Sequence, residues 1–261
     1  MSRSTMSSKW RKTKVLTGSR RLARHVPRTE KLNERVLGSM LRRYGMIYIK
    51  PIAGSLGVGV MKVERIGAQV RIHAGTRKTR HASSREAYRW ILRHKRKGTY
   101  LAQKGIRTLR HRGRPVDFRV VVQRNYDKGR AWEITGMLAR VAHPRKAVTN
   151  ASQGGRIHPV PRLLAGTVGR SAAGTLLRRF RGLARTTAGA FGRAFPAMNE
   201  LGLDIAVDRK LRCWILEVNT RPDLRPFSLL PDRAVLKRML KLARGYGRTV
   251  RHPYKTDAKR G

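Results

Sequence analysis

Acids are scarce in this chain, 14 Asp and Glu against 61 Lys and Arg in 261 residues, so Asp204, Glu217 and the nearby Asn219 draw attention. Glu217 and Asn219 lie two apart in the strand-like run WILEVN, which puts their side chains on one face. If the preceding run LDIAV pairs with it through a connection of an even number of residues, Asp204 falls opposite an odd-numbered position and joins that face. Two carboxylates and an amide oxygen would then converge, a hard oxygen set suited to Mg2+ held against nucleotide phosphates. The competing reading pairs both acids with the abundant arginines, because a carboxylate inside an apolar hairpin without a cation is costly. A second constellation is KPIAGSLGVGV at residues 50–60. Gly54, Gly57 and Gly59 lack a Cβ, so backbone N–H groups there can close on phosphate oxygens, with Lys50 adding a point charge. No Gly-Lys-Ser/Thr closes this loop and a strand rather than a helix follows, which excludes a Walker A motif and a dinucleotide fingerprint. A glycine-rich hairpin turn is the alternative.

These groups need elements to hold them. Leu32, Val36, Met40 and Tyr44 recur every four residues and end at Gly45, which predicts a helix entered near Pro27 and Thr29. MIYIK and VMKVE predict strands on either side of the glycine loop. Ser83 with Glu86 forms a capping box that opens a helix through Tyr88, Ile91 and Leu92. TYLAQKGI reads as a strand, DFRVVVQR and AWEITGMLARV as an antiparallel pair around NYDKG, and LDIAVDRKLRCWILEVN as a hairpin. Leu176, Phe180, Leu183, Phe191, Phe195 and Met198 keep helical spacing, with Arg178, Arg181 and Arg185 along another side. Val235, Met239 and Leu242 mark a last helix. The order lacks a strict βαβ rhythm, which predicts an α+β architecture of two lobes.

Composition narrows the function classes. A 40% apolar fraction in short periodic runs predicts a folded chain despite a formal charge of +47, and that charge attracts polyanions in a salt-screened way. A polyanion- or nucleic-acid-binding protein is therefore an alternative function, although aromatics are only 6% and no RRM, KH or zinc-finger signature occurs. Cys213 is the sole cysteine, so an intrachain disulfide and a multi-cysteine zinc site are excluded, and an ordinary buried thiol is the favoured reading. As an odd-numbered residue it could share the face of Glu217. The eight histidines show no HExxH or paired ligand spacing and read as surface or loop residues. With no apolar segment after the basic start and no run of 18 apolar residues, the expectation is a soluble cytoplasmic protein.

Five segments in order, YIKPIAGSLGVGV, YLAQKGI, DFRVVVQ, LARVA with VTNASQGG, and LGLDIAVD with WILEVNTRPD, resemble the ATP-grasp superfamily. The likeness is to the YheC/YheD-like, endospore coat-associated ATP-grasp proteins over roughly residues 30–230. It implies an ATP-grasp fold of two α+β lobes enclosing ATP: residues 1–44 a basic segment and helix, 45–102 a lobe with a glycine-rich flap, 103–247 a lobe with the metal site, and 248–261 a basic tail. By the resemblance, Lys50 contacts ATP phosphates and Gly54, Ser55, Gly57 and Gly59 form the flap. Gln103, Lys104 and Ile106 receive adenine, and Asp204, Glu217 and Asn219 hold Mg2+. Arg119 and Arg140, with Asn150 nearby, neutralise the transferring phosphoryl group. Lys9 or Lys14 supplies a further phosphate contact. The implied reaction joins an unknown carboxylate, acidic or polymeric, to an amine through an acyl phosphate. The remaining alternative is a structural spore-associated protein whose ATP site is vestigial.

Overall fold

In the computed structural model the described residues are 8–54, 57–142 and 156–250. Ser55 and Asn150, both singled out from the sequence, lie outside them. Two antiparallel sheets carry the architecture. Helices α1 (Lys9–Gly18) and α2 (Arg20–Ala23) precede strand β1 (Thr29–Lys31), helix α3 (Glu34–Tyr44) and strands β2 (Met46–Pro51), β3 (Met61–Ile66), β4 (Gln69–Ala74) and β5 (Arg77–His81). Helix α4 (Ser84–His94) leads to β6 (Tyr100–Lys104), β7 (Arg110–His111), β8 (Arg114–Asn125) and β9 (Ala131–Val141). After β10 (Arg156–His158) come α5 (Val160–Val168), α6 (Arg170–Ala194), β11 (Glu200–Val207), β12 (Cys213–Asn219) and α7 (Arg233–Gly245). The first sheet runs β1-β6-β2-β3-β4-β5 and the second β10-β9-β8-β11-β12, with β7 paired to β8.

Each sheet is covered where its alternation points apolar residues. Helix α3 is capped by Asn33, whose side chain accepts from Val36 N, four residues beyond Thr29 of the predicted entry because Thr29–Lys31 is drawn into pairing with β6. Gly45 closes it in a left-handed conformation, φ 69°. Helices α3 and α4 bury Leu37, Met40, Leu41, Trp90 and Ile91 against Ile47, Ile49, Val63 and Ile72 of the first sheet. One side of the second sheet is covered by α1, α2, α5 and α6, and the other by α7 and the turn at Phe227. The long predicted basic helix is present as one continuous helix but ends early: α6 starts after Gly169, φ 83°, and stops at Ala194, leaving Phe195 and Met198 buried just past its end. The basic N-terminal residues are divided too, α1 and α2 packing with the second sheet while α3 packs with the first. Arg248, expected in a frayed tail, donates to Glu200 and to the Pro222 carbonyl.

No described histidine is fully buried, and at least two make specific contacts. His25 Nδ1 donates to the Cys213 carbonyl at 2.9 Å, and His94 stacks on Trp90 with centroids 4.0 Å apart. No helix among the described residues is long and apolar enough to cross a membrane.

The hairpin that carries Asp204 and Glu217 is pinned at its tip by Asp208. Its carboxylate accepts from Lys210 N, Arg212 N, Arg212 Nε and Trp214 Nε1 at 2.9 to 3.0 Å. Burial pushes this carboxyl up, but the bonds from Trp214 and Arg212 outweigh it and hold it below its ordinary 3.8. A folded-state value below the unfolded one stabilises the protein above pH 3.8, and that contribution drains away as pH falls below it. Asp208→Ala leaves an indole and two backbone N–H groups without their acceptor, for a loss of about 2–3 kcal/mol at neutral pH. Urea denaturation at pH 7 and pH 3.5 checks this: the gap between wild type and variant should narrow at the lower pH, about 0.3 below the ordinary carboxyl value.

Candidate functional site

A cavity of about 770 Å³ is lined by residues of both sheets. From β2, β3 and β6 come Tyr48, Lys50, Lys62, Glu64, Gln103 and Lys104, and from the second sheet Asp117, Arg119, Arg140, Asp204, Glu217 and Asn219. The backbone places the acids before any side chain is considered. Five residues, 208–212, separate β11 from β12, an odd number. Near the turn Val207 faces Cys213 and Ile205 faces Ile215, a register that would set Asp204 opposite Leu216. A bulge between Asp204 and Ile205 on this pairing makes Leu216 the extra residue, so Asp204 meets Glu217 and Gly202 meets Asn219. The three groups share a face because of the bulge, not because of the even-length connection supposed from the sequence.

The same bulge overturns the expectation for Cys213. Cys213 and Ile215 belong to the apolar cluster under α6, on the side opposite Glu217. Burial pushes the Cys213 thiol up to about 11, which makes it inert at neutral pH.

Around Asp204 the charges are already matched. Arg119 Nε and Nη2 donate to its two oxygens at 2.5 and 3.1 Å, Arg140 Nη2 lies 2.9 Å from Oδ1, and Asn219 Nδ2 donates to Oδ2 at 3.3 Å. Arg140 is held from its other side by Asp117, directly opposite on β8, through bonds of 2.7 and 2.8 Å. Burial pushes the Asp204 carboxyl up, but Arg119 and Arg140 pull it below the ordinary range. Part of the arginine-pairing alternative is thus realised, for Asp204. Glu217 differs: Lys9 Nζ approaches it only to 3.8 Å, and its side chain keeps 24% exposure toward the cavity.

Opposite the acids stand lysines in low-dielectric surroundings. Lys50 is half-buried and donates to Gln103 Oε1 at 2.6 Å, and desolvation pulls its pKa down. Gln103 in turn donates to Thr29 Oγ1 and the Leu216 carbonyl, tying the two sheets together. Lys9, one of two N-terminal candidates, reaches the cavity because its backbone N–H bonds the Ile52 carbonyl and its ammonium the Gly54 carbonyl at 2.6 Å. Lys14, the other candidate, sits over the Trp10 ring instead. Gly54, Gly57 and Gly59 have φ of 110°, 73° and 75°, so the turn itself calls for glycine. A Cβ at Gly59 would also come within 2.9 Å of the Tyr100 hydroxyl. Gly57 lines the cavity, with Gly54 and Gly59 beside it in the loop. Lys104 and Ile106 line the cavity at the other end of β2 from this loop, Lys104 pairing with Ile47 and resting over the Tyr44 and Trp214 rings.

Sequence reasoning missed Asp117, Lys12 and the triad of Lys62, Glu64 and Arg71. Lys12 is buried behind the cavity near Glu217, and burial lowers its pKa. Asp117 carried a signal, being an acid in an apolar strand with Arg140 in the next. Among the described residues no group of three or more His, Cys, Asp or Glu is placed to hold a metal, so any cation here rests on two carboxylates, an amide and ligand oxygens. The oxygen chemistry of that set suits a hard divalent ion, with Glu217 turned to the cavity, while Asp204 already accepts from Arg119, Arg140 and Asn219.

A family model described as YheC/D like ATP-grasp matches residues 1–249. Among curated proteins the chain is similar to the endospore coat-associated protein YheD of Bacillus subtilis (strain 168), 24% identical over 231 residues. That stretch is 86% of this chain and 50% of the relative, so the chain spans about half the relative's length.

Proposed function

Because the chain belongs to the YheC/D-like ATP-grasp family, we propose that it binds ATP with Mg2+ between its two sheets and uses them to join a carboxylate to an amine. The observation that supports this best is the convergence of Asp204, Glu217 and Asn219 with Arg119, Arg140, Lys9 and Lys50 on one cavity. In this reading Lys9 and Lys50 meet the phosphate chain, whose charge offsets the cost of burying Lys50 as a cation. The loop carrying Gly54, Gly57 and Gly59 closes over it and keeps out water that would consume an acyl phosphate. Gln103, Lys104 and Ile106 border the adenine. Arg119 and Arg140 are held in place by Asp204 and Asp117, so their remaining N–H groups are oriented before a phosphoryl oxygen arrives. Mg2+ bound by Asp204, Glu217 and Asn219 would supply charge neutralisation at the phosphate oxygens.

The carboxylate oxygen attacks the γ-phosphorus and ADP leaves. The amine then displaces phosphate from the acyl carbon and loses a proton, so one ATP yields ADP, phosphate and the joined product. Association with the spore is part of the proposal, on the name of the Bacillus relative alone. The test is ADP release across a panel of carboxylates and amines, paired with ATP titration of Lys50→Met. That substitution keeps the length of the buried chain and removes its charge, so ATP should bind about 10- to 100-fold more weakly. Unchanged ATP affinity in the variant would remove Lys50 from the site.

A further inference from the structure

The outer layer of the second sheet contains no acid. Residues 1–29 and 134–199 hold neither Asp nor Glu, and although more than a hundred residues separate them, they supply α1, α2, α5 and α6. These four helices pack on one another and on one apolar cluster, so two acid-free stretches become one surface. Arg178, Arg181 and Arg185 form an exposed stripe at helical spacing on α6, and Arg11, Arg20 and Arg24 lie exposed on the neighbouring α1–α2 segment. None of these six makes an ion pair among the described residues, whereas Arg85 and Arg238 on other helices find Glu34 and Glu133.

Fold stability would favour the opposite composition. An acid in the first turn complements the helix dipole, and α3 and α4 have Glu34 and Glu86 there. The first turns of α1, α5 and α6 have none, and α6 even opens with Arg170 and no side-chain cap. The missing acids thus cost stability in three helices of one face, which points to a role for the face outside folding. Arginine rather than lysine dominates it, the residue that binds phosphate oxygens in a two-pronged way. The exposed large apolar residues, Val58, Ile66, Leu92, Tyr126 and Leu229, all lie elsewhere among the described residues. Without them the face has no anchor for a bilayer and no platform for unstacked bases. Helix α6, 25 residues long, extends about 37 Å, comparable with one turn of duplex.

We propose that this face docks double-stranded nucleic acid through its phosphate backbone, without reading sequence. It stands independently of the ATP reading, since the α6 arginines lie beyond an apolar layer on the side of the sheet away from Asp204 and Glu217, whereas only α1 of this face also reaches the cavity, through Lys9. The test is fluorescence anisotropy of the full chain with a labelled duplex of about twenty base pairs over a range of salt. Two triple variants of equal charge change are compared, Arg178→Glu/Arg181→Glu/Arg185→Glu on α6 and Arg89→Glu/Arg93→Glu/Lys97→Glu in and just after α4. The α6 variant should bind at least about tenfold more weakly and flatten the log–log salt slope by about 2 to 3, with the α4 variant close to wild type. Circular dichroism confirms folding, and if the α6 triple does not fold, its glutamine counterpart replaces it with the same ordering expected. Equal losses in both variants would reduce the effect to net charge and overturn the proposal. So would poly-glutamate, single strands or anionic phosphatidylglycerol vesicles competing as well as unlabelled duplex.

Discussion

Glu217→Gln is expected to abolish the magnesium-dependent part of the stabilisation that ATP confers, while leaving the ligand-free protein nearly as stable as wild type. The two halves of this expectation have separate causes. Glu217 has no short ion pair to lose, its nearest ammonium being Lys9 at 3.8 Å, and the amide is close to isosteric. Removing its charge therefore leaves behind no buried cation newly stripped of a partner at bonding distance. For a bound cation, however, Glu217 is the carboxylate turned to the cavity, because Asp204 already accepts from Arg119, Arg140 and Asn219. Losing it removes half of the formal negative charge available to a divalent ion. At ATP a hundredfold above its dissociation constant, the wild-type protein should gain about 2.7 kcal/mol, a shift of several degrees in melting temperature. Melting curves with ATP alone, Mg2+ alone and both together resolve the contributions. A variant that keeps the full gain from the two together would show that the cation, if bound, is held elsewhere, and the ligase proposal would lose its main support.

The same hairpin shows where sequence reasoning reached and where it stopped. Alternation and turn signals located β12 and all of β11 except its first three residues, and the side-chain period of two put Glu217 and Asn219 together. Their meeting with Asp204 depended on a bulge, and nothing in LRCWILEVN marks Leu216 as the extra residue. A bulge is decided by the fit of two strands, which a single strand's pattern does not contain. Cys213 was misplaced for the same reason, the bulge having inverted the parity between it and Glu217. Helix α3 was legible from its period, but its first turn was not, because Thr29–Lys31 is claimed by β6 some seventy residues later. That Lys9 rather than Lys14 reaches the cavity likewise depends on distant partners, the carbonyls of Ile52 and Gly54. Local propensity places elements, and long-range pairing decides which side chains share a cavity.

Asp117 was passed over in the sequence, and its removal should have the largest effect on stability of any substitution in the cavity. Asp117 and Arg140 face each other across β8 and β9 and form a two-pronged pair with side chains only 6% and 7% exposed. Burial disfavours the charge on Arg140, and Asp117 first and Asp204 second outweigh that cost. With alanine at 117, Arg140 keeps only Asp204, which also serves Arg119. Two guanidinium groups, one buried and one half-buried, would then share one carboxylate, in a pocket that already contains Lys50 and has Lys12 behind it. Breaking a buried pair from one side in this way costs about 3–5 kcal/mol, a large part of a typical 5–15 kcal/mol total. Removing both partners should be far milder, so Asp117→Leu/Arg140→Met should recover most of the stability lost in Asp117→Ala. That recovery separates an uncompensated charge from a mere packing defect, because the double variant changes more side-chain volume than the single one. Urea denaturation of the single and double variants decides it. A single-variant loss below about 1 kcal/mol would mean that Arg140 finds another counter-charge or reaches water, and that Arg119 and Arg140 are not held in advance for a phosphoryl group.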